Sequence, residues 1–83
     1  PEAFDISVYP NPFNSSCRID MPDGSRVEIF DISGQLIYSI ENGIGYDPAK
    51  KIWSPSQEIS SGIYIVQGVL GNEIVSKRVV YLK

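Results

Sequence analysis

With 83 residues the chain makes one domain, long enough to bury a core yet near the lower limit at which a single core suffices. A charged fraction of 20% beside 42% hydrophobic residues excludes a disordered tail, and no run reaches the ~20 apolar residues of a membrane-spanning helix. A net charge of −3 with no Lys/Arg cluster excludes a basic nucleic-acid surface, so nucleic acid is not an expected partner.

The chain opens on Phe4-Asp5-Ile6-Ser7-Val8-Tyr9, which alternates apolar and polar and predicts a short strand with Phe4, Ile6 and Val8 on one face. Pro10 stops it. In Pro10-Asn11-Pro12-Phe13-Asn14 the prolines hold their own φ and push Tyr9 and Asn11 toward extended backbone, leaving Phe13 free to plug one end of a core. Cys17-Arg18-Ile19-Asp20-Met21 alternates again with Cys17, Ile19 and Met21 inward, before the turn chemistry of Pro22-Asp23-Gly24-Ser25.

The next strand, residues 26–32, carries Val27 and Ile29 on one face and Phe30 and Ile32 on the other, which implies burial on both sides or a twist near its end. Ser33-Gly34 reverses it into residues 35–41, a strand expected to line one face with Leu36, Tyr38 and Ile40. Residues 42–49 hold two glycines and a proline without periodicity and read as a loop. A short strand at residues 50–54 carries the only tryptophan, Trp53.

The last stretch is a hairpin. Two β-branched and aromatic runs flank Gly71-Asn72, which predicts a primed two-residue turn and sets Leu70 opposite Glu73, Val66 opposite Lys77, Tyr64 opposite Val79, Ile65 opposite Arg78 and Ile63 opposite Val80. Neither face of that pairing is cleanly apolar, and Gly68 is read as a bulge that changes the facing side. No segment shows a helical period over ten residues. About seven short strands bounded by turns predict an all-β, immunoglobulin-like antiparallel β-sandwich.

Parts for catalysis are missing. There is no histidine, so no Ser-His or Cys-His pair and no zinc site of the common His/Cys type can be assembled. The acidic residues are scattered singly, with Glu28, Glu41, Glu58 and Glu73 at outward strand positions or in connectors. Asp23-Gly24 and Asp47-Pro48 read as turn formers and not as cation loops, which need several oxygen donors at close spacing. No catalytic, cofactor-binding or metal-binding residue is expected, and the single Cys17 reads as a small core residue. Trp53, Tyr46 and Tyr38 would form a sugar-stacking platform if they shared one exposed face, whereas the lone tryptophan of a small sandwich ordinarily fills the core.

Four motifs occur in one order: Tyr9-Pro10-Asn11-Pro12-Phe13-Asn14, then Val27 to Ile37 with Asp31-Ile32-Ser33-Gly34-Gln35 inside it, then Ser61-Gly62-Ile63-Tyr64-Ile65-Val66, and finally Lys77-Arg78-Val79-Val80-Tyr81-Leu82-Lys83. That series resembles the C-terminal sorting domains of the type IX (Por) secretion system, and the related immunoglobulin-like domain of flagellar hook-capping proteins. The resemblance implies a seven-stranded sandwich at the C-terminus of a larger secreted or cell-surface protein of a Gram-negative bacterium. It also implies a route through the periplasm to an outer-membrane translocon. Its partners would be that translocon, a sortase-like peptidase that removes the domain, and a covalently linked N-terminal cargo domain. By position, Pro10, Asn11 and Pro12 match the early proline motif, Gly62 and Tyr64 the Gly-x-Tyr motif, and Lys77, Arg78 and Lys83 the basic residues of the last motif. Trp53 matches the family's frequent tryptophan, with Ser54-Pro55 replacing the Asp-Gly that often follows it.

The start at Pro1-Glu2-Ala3 reads as the interior of a longer chain, so residues 1–83 are expected to be one C-terminal domain cut from a larger secreted protein. The alternative from another class is a structural or carbohydrate-binding accessory sandwich attached to an extracellular hydrolase.

Overall fold

A computed structural model describes residues 6–22, 24–41 and 52–83, with main chain only at Glu41. Seven strands follow one another: β1 (Ser7–Tyr9), β2 (Cys17–Asp20), β3 (Arg26–Asp31), β4 (Leu36–Glu41), β5 (Ile52–Trp53), β6 (Gly62–Leu70) and β7 (Glu73–Tyr81). They form a three-stranded sheet in the order β1-β2-β5 and a four-stranded sheet in the order β4-β3-β6-β7, antiparallel throughout. The first, second and fifth strands thus face the others across one core, the division expected of an immunoglobulin-like sandwich. No helix among the described residues is long and apolar enough to cross a membrane.

Strand alternation decides what is buried. Ile6, Cys17, Ile19, Met21 and Trp53 project from the smaller sheet onto Val27, Ile29, Ile40, Tyr64, Val66, Val75 and Val79 of the larger one. Phe13 closes one end as anticipated: its ring stacks on Tyr81 at 5.0 Å and tilts against Trp53 at 5.5 Å, and Trp53 meets Tyr64 edge-on at 5.5 Å. Trp53 therefore belongs to the core.

The final hairpin has the expected register, from Leu70 opposite Glu73 to Ile63 opposite Val80. Gly71 takes a φ of 60° and Asn72 has no positive φ, the pattern of a type II′ turn, in which the first central residue is glycine. Gly68 is not a bulge: it pairs with Val75 and with Val27 in unbroken ladders. The hairpin buries Tyr64, Val66, Val75, Val79 and Tyr81 on one side without any change of face.

The bulge lies elsewhere. Ile29 pairs with Tyr38 and Phe30 with Leu36, so Ile37 is the extra residue on β4. The expected apolar face of β4 is corrected accordingly: Ile40 is buried at 5% exposure and Ile37 packs on the core, while Leu36 and Tyr38 are 50% and 45% exposed. The predicted strand at residues 50–54 is described only as β5, and the loop over residues 42–49, including Tyr46, lies outside the described residues, as does Phe4.

Candidate functional site

Asn11 and Phe13, within and just after the Pro10-Asn11-Pro12 motif, pin the segment that follows β1 onto β7. Asn11 Nδ2 donates to the Arg78 carbonyl at 2.9 Å, and the Val80 N–H donates to Asn11 Oδ1 at 3.0 Å. The side-chain amide thus copies a strand residue, with one donor and one acceptor. Pairing continues in main chain, from the Phe13 N–H to the Val80 carbonyl at 3.0 Å and from the Leu82 N–H to the Phe13 carbonyl at 2.8 Å. Both Tyr9-Pro10 and Asn11-Pro12 are cis. The proline motif is therefore a clasp over residues 78–82 of the outer edge of the sheet.

The Gly62-x-Tyr64 motif is likewise architectural. Tyr64 is buried at the start of β6, and its hydroxyl donates to the Ser60 carbonyl at 2.6 Å, back across the corner through which the chain enters the strand. This is the tyrosine corner of immunoglobulin-like sandwiches. Gly62 opens the strand opposite Tyr81, and an added Cβ there meets nothing within 4 Å.

Lys83 is tied to the same corner: its N–H donates to Ser61 Oγ at 2.7 Å, and its ammonium donates to the Gln57 carbonyl. Lys77 and Arg78 differ from it. Both are exposed on β7, beside the Asn11 clasp, and with Ile6, Ser7 and Val8 they line a groove of about 250 Å³ between β1 and β7. The structure thus gathers Asn11, Lys77 and Arg78 at one place and leaves Tyr64 and Lys83 at another. The clasp role of Asn11 has one signal in the sequence, an amide between two prolines, and the anchoring of Lys83 by Ser61 and Gln57 has none.

A second hollow of about 370 Å³ lies between the β3–β4 turn and residues 58–64, with Asp31 and Glu58 among its walls. Asp31 is engaged by its own turn: Oδ1 accepts from Ser33 Oγ at 2.6 Å and from the N–H groups of Ser33 and Gln35, each at 2.9 Å. The Ser33 hydroxyl, followed by the Gln35 N–H, holds its carboxyl below the usual carboxylate range, which suits a fixed acceptor and not a proton donor. Gly34, at φ 92°, completes the reversal. Among the described residues no three His, Cys, Asp or Glu side chains converge on a metal position. Of the three aromatic residues weighed for sugar stacking, Trp53 is buried, Tyr38 is exposed and Tyr46 is not described.

Comparison with known proteins agrees with this geometry. The family model of the secretion system C-terminal sorting domain matches residues 7–82. No curated protein sequence matches. Among solved structures the chain is similar to PorZ, described as an essential bacterial surface component of the type-IX secretion system of Porphyromonas gingivalis. The TM-score is 0.73 at 21% identity, over 94% of this chain and 11% of that one. The likeness is one of fold, and this chain spans a small fraction of the length of that protein. The match over nearly the whole sandwich decides the assignment: the chain belongs to the secretion system C-terminal sorting domain family.

Proposed function

We propose that residues 1–83 form a non-catalytic address at the C-terminus of a larger secreted protein, directing an N-terminal cargo domain from the periplasm through the type IX outer-membrane translocon to the cell surface. A sortase-like peptidase there separates the domain from its cargo, which becomes anchored. The observation that carries this reading is the family match over residues 7–82.

The site geometry supports a division of labour within the motifs. Pro10, Asn11, Pro12, Gly62, Tyr64 and Lys83 shape and lock the sandwich, whereas Lys77 and Arg78 present cations on an edge strand, and it is these cations that a partner reads. The testing experiment fuses residues 1–83 to an inert periplasmic reporter in a host with a working type IX translocon, beside a fusion that ends before Gly62. Surface appearance of the intact fusion alone supports the address, once folding of the shorter form has been checked. Retention of both fusions in the periplasm overturns it in favour of an accessory module, for which polysaccharide binding is then the test.

A further inference from the structure

The hollow of about 370 Å³ between the β3–β4 turn and residues 58–64 has two unlike sets of walls. The first is apolar. Ile37, the extra residue of the β4 bulge, and Ile59 pack down onto the core, while at the rim Ile32 is 78% and Ile63 41% exposed. Apolar side chains held in solvent around one concavity mark a surface that a partner covers. The second set is negative. Asp31 and Glu58 are the charged residues among the described walls, and no described Lys or Arg pairs with either. Lys83, at the neighbouring corner, places its ammonium on the Gln57 carbonyl. The β3–β4 turn occupies Asp31 Oδ1 and leaves Oδ2 for another donor, and Glu58 makes no hydrogen bond among the described residues. Both sides of the hollow are fixed in advance. The bonds to Asp31 hold the turn, and the Tyr64 hydroxyl on the Ser60 carbonyl and the Ile59 N–H on the Ser56 carbonyl hold the opposite side, so little ordering is left to binding.

We infer that this hollow receives an arginine side chain from an extended segment of a partner protein. Arginine combines the two chemistries of the walls: its apolar stem lies between Ile32 and Ile63, and its guanidinium donates to the carboxylates of Glu58 and Asp31. Charge complementarity selects a cation, and the exposed isoleucines select one on an apolar stem with main chain beside it. Lysine fits less well, because its compact, strongly hydrated ammonium lacks the planar fork that engages a carboxylate through two parallel bonds. The hollow lies apart from Lys77 and Arg78, which line the groove between β1 and β7, and the inference does not depend on the sorting reading.

The probe is the capped tripeptide acetyl-Val-Arg-Val-amide, titrated at low salt into isotope-labelled residues 1–83 and followed by amide chemical shifts. Saturable shifts should centre on Ile32, Ser33, Ser60, Ser61 and Ile63, with a Kd on the order of 1 mM for a single side chain and its flanks. Neutral citrulline in place of the arginine, or Glu58→Gln in the protein, should each weaken binding on the order of tenfold, because a charge-assisted pair becomes a neutral one. Ile63→Thr keeps the β-branch and should weaken binding about threefold through lost apolar contact. Glu58 is exposed, so E58Q should melt like the parent and its loss of binding reads the site and not the fold. No saturable shift up to about 20 mM probe overturns the inference, as do shifts centred on β7 instead of the hollow. Binding of the citrulline probe, or binding to E58Q, at the parent affinity also overturns it, as does equal binding of acetyl-Val-Lys-Val-amide.

Discussion

Replacing Asn11 by Ala removes the side-chain half of the clasp, leaving the main-chain bonds of Phe13 and the core in place. The side chain contributes two hydrogen bonds, at 2.9 and 3.0 Å, to the main chain of β7, and it is exposed. A net contribution of roughly 0.5–1.5 kcal/mol per bond would give about 1–3 kcal/mol, and water can replace both partners at an exposed site, which places the loss near 1 kcal/mol. For a domain of this size that lowers Tm by about 4–8 °C. Urea unfolding followed by Trp53 fluorescence reports the global loss, since Trp53 lies against Phe13 on the far side of the clasp. Hydrogen exchange at the Val80 N–H reports the local loss, and it should accelerate more than exchange at Val79, whose main-chain groups face β6. An unchanged urea midpoint together with unchanged exchange at Val80 refutes the reasoning.

Tyr64→Phe deletes the hydroxyl that bonds the Ser60 carbonyl at 2.6 Å, and calorimetry should show a loss of about 1 kcal/mol with the fold retained. Phe13→Ala empties the aromatic cluster between Tyr81 and Trp53 and should cost about 3–5 kcal/mol, enough to unfold much of the population in equilibrium melts. The Cys17 thiol, pushed up to about 11 by burial, should resist an aromatic disulfide reagent at neutral pH and react only on unfolding; prompt labelling of the folded chain would contradict its core position. Asp31 has a depressed folded-state pKa, so its contribution is present at neutral pH and lost as pH falls through the folded value. Asp31→Asn should therefore flatten the acid side of a plot of urea midpoint against pH.

Where one local rule decides an outcome, the sequence carried it. Gly71-Asn72 sets the turn, the turn sets the register, and the partners from Tyr64 opposite Val79 to Leu70 opposite Glu73 follow without knowledge of the remaining strands. Alternation likewise assigned Cys17, Ile19 and Met21 inward. It failed at β4, because an inserted residue leaves no mark on the pattern Leu36-Ile37-Tyr38: only the neighbouring strand shows that Ile37 is unpaired and that Leu36 joins Phe30 on the other face. Gly68 misled for the converse reason, since a glycine in a strand is compatible both with a bulge and with an unbroken ladder. The candidate site was legible as a set of motif positions and not as physics. That Asn11 clasps β7, that Tyr64 ties the corner at Ser60 and that Lys83 is held by Ser61 and Gln57 all depend on residues distant in sequence or on main-chain acceptors, which carry no side-chain signature.

The most direct measurement is surface delivery of the reporter fusion in which Lys77 and Arg78 are both replaced by Ser, compared with the parent fusion in the same translocon-bearing host. Exposed charges contribute little to stability, so the two domains should melt within a few degrees of each other in isolation. The account predicts that the parent fusion reaches the surface while the variant accumulates, folded, in the periplasm. Equal surface delivery of the two would contradict the claim that these cations carry the address.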